Sequence, residues 1–477
     1  MDANQKKPAT VALLALGVLF IGGIVFYKER LFFADAAFYA FNIINNKGFS
    51  IMHERYGAFI TQLFPYIGQK LHLPLRVNLI GFACGFNLFY LVIASLLVYR
   101  YKQYGLAILM GLYYFLFVSD SYFWLNDEIH QAVAWMFLLL GVTLYMGYKK
   151  VNILFVILPF LLLAFLTVST HFVVIIPLVF LWVYLILEKE KWPFSGNITI
   201  LLSSLLAIVI FIKYSATAGK QSYDGNQLRG LTHFSLKDLI NTFSTPVLQA
   251  FFHRCLVNYW VSVLVFIAGI VSLIIRKQKM LAAWTIISCI GYILVMGLIY
   301  GGMDSSVLLF HIETEWQCIG IIVAAPFVFT FLPTLRGSFA IGLLAIVFAT
   351  RLVYIGSAIP KFSWRIQFQE RLLAQMKKKN ITKLALYDDF PEQKNQYLLD
   401  WAAGYESLFT SALSGDKPNR TFIFINRDDK QTMEAISGTK NFYNVWSMLP
   451  PNEINSTYFI TDTVHAYQIM TYDELIK

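Results

Sequence analysis

Eleven runs of roughly 20 apolar residues constrain the fold of this chain more than any other feature. A helix needs about 20 mostly apolar residues to cross the hydrocarbon of a bilayer, because it rises about 1.5 Å per residue. Only 14% of the 477 residues are charged, whereas globular domains carry about 25% charge. The sequence therefore predicts an all-α polytopic membrane protein with about eleven transmembrane helices, at 10–27, 78–99, 105–122, 130–148, 152–169, 171–188, 197–215, 258–275, 281–300, 317–334 and 338–355.

The distribution of lysine and arginine predicts how the chain is oriented. Short loops on one side carry basic residues such as Arg100, Lys149 and Arg276, while the short loops near 120–129 and 301–316 carry none. Basic residues collect in cytoplasmic loops, so we expect a cytoplasmic N-terminus and an extracytoplasmic C-terminal tail. The short N-terminus, the compact loops and the lack of a retention signal favour a bacterial inner membrane.

Two regions differ from the predicted spans. The loop 28–77 contains FFADAAFYAFNII and RYGAFITQLFPYIGQKL, whose apolar residues recur at helical spacing, so we expect two amphipathic helices lying in the membrane interface. Residues 356–477 carry short β-like runs at 381–387, 420–427 and 456–463, separated by helical stretches. These patterns predict a transmembrane domain over 1–355 and a small extracytoplasmic α/β domain over 356–477.

Ionisable side chains near the predicted membrane fall almost wholly on the outer face. The carboxylates and histidines among them lie at the ends of spans, where polar atoms can face a water-filled cavity. Such convergence from distant loops is typical of an active site on a helical scaffold. The candidates are Asp35, Glu54, Arg55, Asp127, Glu128, His171, Arg254, His311, Glu313 and Arg351.

Structural roles are open for the same residues. Asp35 lies in the first turn of a predicted helix, where the helix dipole favours an acid. Asp127 and Glu128 could be solvated loop residues, and His171 could belong to a plain polar turn. His311 and Glu313 could anchor the chain in the interface. Arg351, inside an apolar span, could extend its charged end to the interface.

The order of these features resembles the GT-C superfamily of integral-membrane glycosyltransferases. The motif stands here as Asp35, Tyr39, Ala40 and Gly48 after the first span. RYGAFITQLFPYI resembles the second interfacial segment of the family, and WLNDE resembles its second acidic outer-loop motif. The family often has a second acidic residue after the first, and this chain has Ala36 there. A divalent metal ion is therefore left open as a cofactor, with no ligands assigned.

This resemblance implies transfer of a sugar from a polyprenyl-phosphate donor to a lipid, glycan or protein acceptor, with inversion. It implies Asp35 as the general base, since a carboxylate beside apolar groups has a raised pKa. Asp127 and Glu128 are the other catalytic candidates. Arginine can bind two phosphate oxygens at once. The expected substrate-binding residues are Glu54, Arg55, His171, Arg254, His311, Glu313 and Arg351.

Two other classes of function fit the composition. A transporter or flippase would place ionisable residues at mid-depth and break helices at matching positions in two halves, and the sequence shows neither clearly. A non-enzymatic assembly or sensor subunit would depend on the C-terminal domain and would not explain Asp35. Membrane lipids are expected partners of the chain, and nucleic acid is not, because the basic residues behind its net charge of +10 follow the loops of the predicted spans.

Overall fold

The computed structural model describes residues 5–125, 128–218, 220–232, 234–300 and 309–477. The chain is mostly helical, with a small sheet region near its C-terminus. In these residues the α-helices, numbered α1 to α21 in chain order, are Lys6–Val25, Tyr27–Leu31, Asp35–Asn46, Phe59–Lys70, Leu75–Ser95, Tyr104–Leu116, Glu128–Tyr148, Ile153–Thr170, Ile175–Leu187, Gly196–Thr217, Tyr223–Thr232, Leu236–Asn241, Pro246–Val257, Trp260–Ile275, Lys279–Tyr300, Leu309–Trp316, Ile319–Pro326, Gly337–Lys378, Ala403–Leu413, Lys430–Ile436 and Tyr472–Ile476.

Eight helical segments of the described residues are long and apolar enough to cross a membrane, so the predicted count of about eleven spans is not confirmed. The eight are Lys6–Val25, Leu75–Arg100, Glu128–Tyr148, Ile153–Thr170, Gly196–Thr217, Lys279–Tyr300, Glu313–Thr334 and Gly337–Lys378. The other three predicted spans are also helical, but they are shorter. One of them, α14, meets α13 at an angle of 82°, and the pair could form one broken span.

Helix α6 is shorter than the predicted span 105–122 for a visible reason. It has 13 residues, which reach only about 20 Å. The carbonyl oxygen of Phe115 accepts a hydrogen bond from Arg351 Nε at 3.0 Å, and that of Leu116 accepts one from the Ser262 hydroxyl at 2.6 Å. Side chains of two other helices thus bond the carbonyl groups at the end of α6, where the chain turns towards Asp120.

The helices pack closely around α6, which is buried over most of its length. At Gly111 an added Cβ would lie 2.8 Å from the Cβ of Ala12, so glycine lets α1 and α6 approach each other. Other helices present apolar side chains outwards, as lipid-facing surfaces do. Leu158 of α8 and Phe211 of α10, for example, are 74% and 66% exposed.

The loop 28–77 contains two helices at the predicted places, α3 and α4. The end of α3 is tied to the C-terminal region. The Asn455 side chain donates to the Ile44 carbonyl at 2.8 Å, and its backbone N–H donates to Asn45 Oδ1 at 2.8 Å. Helix α3 therefore lies between the membrane helices and the C-terminal region.

The C-terminal region holds two small sheets. Strands β1 (Lys383–Tyr387), β2 (Thr421–Ile425) and β5 (Gln468–Met470) form a parallel sheet in the order β2-β1-β5, and β3 (Phe442–Asn444) pairs with β4 (Ser447–Leu449) as an antiparallel hairpin.

The predicted strand at 456–463 is wrong. Among the described residues this segment makes only an isolated bridge, between Thr461 and Asn419. Asn455, the residue before it, is bonded to the end of α3 and not to a strand. The boundary predicted at 355 lies inside α18, a continuous helix of 42 residues that runs from the membrane helices into this region.

Candidate active site

Charged side chains and tyrosines form two clusters at one end of the helices, and all of their carboxylates are buried, whereas Lys361 is 43% exposed. The Arg55 cluster consists of Tyr39, Arg55, Glu128 and Asp224, and the Asp120 cluster consists of Asp120, Arg254, Glu313, Lys361 and Tyr397. Helix α7 begins at Glu128, whereas α6 ends just before Asp120, so both clusters lie at the same end of the bundle.

Arg55 bridges two carboxylates in the first cluster. Its Nη1 lies 2.7 Å from Glu128 Oε2, and its Nη2 lies 2.7 Å from Asp224 Oδ1. All three side chains are less than a tenth exposed. The Tyr39 hydroxyl donates to the other oxygen of Glu128 at 3.1 Å. The cluster therefore joins four segments: α3, the loop before α4, the start of α7 and α11.

Protonation in this cluster follows from burial and neighbouring charge. Burial alone would lower the pKa of Arg55, but Glu128 and Asp224 overcome this effect and raise it. Burial raises the pKa of the Tyr39 hydroxyl, and the negative charge of Glu128 raises it further. Arg55 is therefore charged and Tyr39 protonated at neutral pH, which matches their roles as hydrogen-bond donors.

A glycine brings the Arg55 loop close to the membrane helices. At Gly57 an added Cβ would lie 1.9 Å from the Thr170 hydroxyl oxygen and 2.8 Å from Trp135 Nε1. The Gly57 carbonyl accepts a hydrogen bond from that indole nitrogen at 3.1 Å. No side chain fits at this position, so glycine permits the approach that places Arg55 against Glu128.

Replacing Arg55 by Lys tests whether the two-carboxylate bridge stabilises the fold. An ammonium group is a point charge and cannot reproduce the two-sided fork of a guanidinium, so one buried carboxylate loses its partner. We expect the free energy of unfolding to fall by about 1 to 3 kcal/mol, measured by denaturation in detergent micelles. Lys220→Gln is the matched control, because Lys220 and Glu54 form an exposed pair at 3.5 Å. Equal stability of Arg55→Lys and the wild type would contradict the bridge.

Backbone strain occurs next to Asp35 and Arg55. Nine residues other than glycine have a positive φ in the described part of the chain. Six of them lie at the C-terminal ends of helices, where this conformation is common. The remaining three are Ala34, His53 and Glu54, directly before Asp35 and Arg55. Such strain costs about 1 to 3 kcal/mol per residue and clusters at functional sites.

Ala34 is held in this conformation by a residue 372 positions away. Its N–H donates to Glu406 Oε1 at 2.8 Å. Glu406 in turn forms an ion pair with Arg365 at 2.6 Å, and both side chains are at most 1% exposed. Arg365 also donates to the carbonyl groups of Tyr397 and Leu399, at 2.7 Å each. This Arg365–Glu406 pair fixes the backbone at the start of α3, where Asp35 stands half-buried.

Asp120 is the centre of the second cluster. Its carboxylate lies 3.0 Å from Lys361 Nζ and 4.0 Å from Arg254 Nη2, and it accepts a hydrogen bond from the Tyr397 hydroxyl at 2.8 Å. Glu313 accepts a hydrogen bond from the Ser121 N–H at 3.0 Å. A small cavity of about 10 Å³, room for one water molecule, lies beside Arg254 and Glu313. Two cations and two carboxylates thus meet in this cluster, and one of each lines the cavity.

Arg351 has a different environment from the one predicted for a substrate ligand. Its guanidinium donates to the carbonyl groups of Phe115 and Val118, at 3.0 and 2.5 Å, to that of Asn258, and to the Ser119 hydroxyl at 3.2 Å. It is fully buried. These bonds tie the end of α6 to the end of α13, which gives Arg351 a structural role.

The other predicted site residues are more scattered. Glu54 is exposed and pairs with Lys220, outside both clusters. His171 is buried, and its Nδ1 accepts a hydrogen bond from the Val173 N–H at 3.3 Å at the start of a short helical turn. Asp127 and the side chain of His311 lie outside the described residues. Of the predicted residues, the structure brings Arg55 and Glu128 into one cluster and Arg254 and Glu313 into the other.

Several residues of these contacts were not predicted as site residues: Tyr39, Asp120, Asp224, Lys361, Arg365, Tyr397 and Glu406. Glu406 carried a usable signal, because it is a lone acid in the otherwise uncharged segment WAAGYESLFTSAL. Among the described residues, no three His, Cys, Asp or Glu side chains are grouped so that they could hold a metal ion.

No family model, no curated protein and no solved structure matches this chain. Its function must therefore be inferred from the chemistry of the two clusters.

Proposed function

We propose that the protein is a membrane glycosyltransferase. It would transfer a sugar from a polyprenyl-phosphate donor to a lipid, glycan or protein acceptor, at the end of the bundle where the two clusters lie. The observation that carries this proposal is the strained backbone at Ala34, which Glu406 holds at the start of α3. It positions Asp35 one helical turn before Tyr39 of the Arg55 cluster, close enough for the Asp35 charge to raise the pKa of Tyr39. The sequence motif around Asp35, which resembles the GT-C superfamily, supports the same assignment.

The charge of each cluster suggests a division of labour. The Arg55 cluster has one cation against two carboxylates, whereas the Asp120 cluster has two cations, Arg254 and Lys361, against two carboxylates. The second cluster is thus the less negative, and its Lys361 is 43% exposed, so a ligand can reach it from outside. We assign the donor phosphate to Arg254 and Lys361, which would turn from Asp120 towards the phosphate oxygens.

The reaction assigns one proton transfer to Asp35. The acceptor oxygen attacks the anomeric carbon of the sugar, and the bond from that carbon to the phosphate oxygen breaks. The acceptor proton passes to the Asp35 carboxylate, and polyprenyl phosphate leaves with the bonding electrons. Both oxygens of Glu128 are bonded to Tyr39 and Arg55, so Glu128 is assigned a positioning role and Asp35 the role of base.

A chain of bonded residues connects the assigned phosphate site to the assigned base. The Tyr397 hydroxyl donates to Asp120, and the Tyr397 carbonyl accepts from Arg365. Arg365 pairs with Glu406, whose carboxylate accepts from the Ala34 N–H. If Lys361 and Arg254 leave Asp120 to bind the donor phosphate, this chain of bonds can transmit the change to the backbone before Asp35.

One feature favours the alternative of a flippase. Arg30 is buried beside a small cavity of about 30 Å³, with Asn87 and His130 in the same lining. Arg30 donates to the carbonyl groups of Tyr122 and Ala83, at 3.1 and 2.8 Å, and forms no ion pair with a carboxylate of the described residues. A buried cation of this kind is typical of a substrate pathway through a membrane protein.

Reconstitution of the purified protein distinguishes the two functions. Vesicles would contain a panel of polyprenyl-phosphate sugars and total membrane lipid as acceptor, with each donor radiolabelled in its sugar. A glycosyltransferase should move the label to a new product. Movement of intact donor between leaflets without a new product would overturn our proposal and favour the flippase. The absence of both from every donor would contradict both functions.

A further inference from the structure

A third cavity, with a partly polar lining, lies at the opposite ends of helices α6 and α7 from the proposed site. Its volume is about 380 Å³, and it is bordered by Tyr104 at the start of α6 and Tyr148 at the end of α7. Helix α7 has 21 residues and is therefore about 30 Å long. The cavity is thus separated from Glu128 by about the hydrocarbon thickness of a bilayer.

The lining of this cavity is amphipathic. Leu106, Leu144 and Leu185 contribute apolar surface, whereas Lys102 and Lys191 contribute positive charge. A ligand that matches both parts needs a charged group joined to a hydrocarbon portion. Membrane phospholipids have this character.

The electrostatics of the cavity favour an anion. Lys102 and Lys191 outnumber Glu190, the one acidic residue in the lining that the structure describes. The first turn of α6 opens at the cavity, and no side chain caps it, so its N–H groups add partial positive charge. The side-chain nitrogen of Gln103, the residue before this turn, is buried without a hydrogen-bond partner in the described part of the chain.

We infer that this cavity binds the phosphate headgroup of an anionic membrane phospholipid. Lys102, Lys191 and the start of α6 would contact the phosphate, and the acyl chains would follow the apolar surface towards the lipid. Basic pockets between membrane helices recognise anionic headgroups in this way. The inference does not depend on the proposed transferase activity.

Lipid binding can be measured directly by native mass spectrometry of the full-length protein. The probes are dioleoylphosphatidylglycerol, dioleoylphosphatidylcholine and inorganic phosphate, each titrated into delipidated protein. We expect phosphatidylglycerol to bind best. The double substitution Lys102→Gln with Lys191→Gln should weaken it by at least about 10-fold, since each basic residue near the surface contributes about one factor of five.

A matched control lies at the same end of the protein. Lys277 and Lys279 flank Gln278, which contacts Glu188 at 3.3 Å, but they do not line the cavity. Lys277→Gln with Lys279→Gln should leave phosphatidylglycerol binding unchanged. If the Lys102/Lys191 variant does not fold, the single substitution Lys191→Gln should still weaken binding by about 5-fold.

Three outcomes would overturn the inference. Equal binding of phosphatidylcholine would show that charge is not recognised. Equal binding of inorganic phosphate would show that the ligand is the free anion and not a lipid. Equal weakening by the cavity pair and the control pair would show that only the net charge of this face matters.

Discussion

Replacing Asp35 by Asn is expected to lower the rate of sugar transfer by at least about 100-fold, because the acceptor proton then has no base to receive it. Asparagine keeps the size of the side chain and most of its hydrogen bonding, so the fold should survive. The measurement is transfer of radiolabelled sugar in vesicles, together with the melting temperature of each purified variant.

A matched control separates loss of the base from loss of charge. Glu370→Gln removes a carboxylate that is 46% exposed and pairs with Lys28 at 2.9 Å on the surface, and it should keep wild-type activity. An Asp35→Asn variant that transfers sugar at the wild-type rate would assign Asp35 to helix capping and place the base elsewhere.

Breaking the Arg365–Glu406 pair should produce the largest loss of stability. Glu406→Ala leaves a guanidinium buried without its carboxylate, which typically costs about 3 to 5 kcal/mol. It also removes the acceptor for the strained Ala34 N–H, so any folded fraction should transfer sugar more slowly. Denaturation in mixed micelles measures the first effect, and initial rates normalised to folded protein measure the second.

Two further variants show whether the pair acts as a unit. The double substitution Arg365→Met with Glu406→Leu replaces two charges by apolar groups of similar size, and we expect it to be more stable than Glu406→Ala. It should nevertheless remain slow in transfer, since Ala34 still lacks its acceptor. Arg427→Ala breaks an exposed ion pair with Asp389 and should change stability little. Arg365→Met and Glu406→Leu should also be measured singly. If their separate losses of stability sum to that of the double substitution, Arg365 and Glu406 are not coupled.

Local patterns predicted where most helices lie, but not the length of each one. The two amphipathic helices of the loop 28–77 were predictable because helical periodicity depends on neighbouring residues only. The sequence placed Glu128 and Arg55 on the same face of the membrane, but it did not predict their contact. The length of α6 was not predictable, because Arg351 and Ser262 bond its last carbonyl groups from distant parts of the chain.

The contacts that fix Asp35 were also beyond local patterns. Glu406 and Ala34 are 372 positions apart in sequence, and no pattern in either segment predicts that they meet. The same holds for Asp224, which meets Arg55 across 169 positions. The positive φ of Ala34 could not be predicted from the sequence either, because alanine rarely adopts this conformation. Burial of charge in these clusters is decided by the tertiary fold.

The contact of Glu406 with Ala34 also sets an order of events during biosynthesis. A ribosome adds about 5 to 20 residues per second, so the 372 residues between the two positions take about 20 to 75 s to make. For that interval the first loop is present without the carboxylate that holds its backbone. A nascent chain should therefore acquire a competent Asp35 only near the end of translation, and a chain that stops before residue 406 should never acquire it.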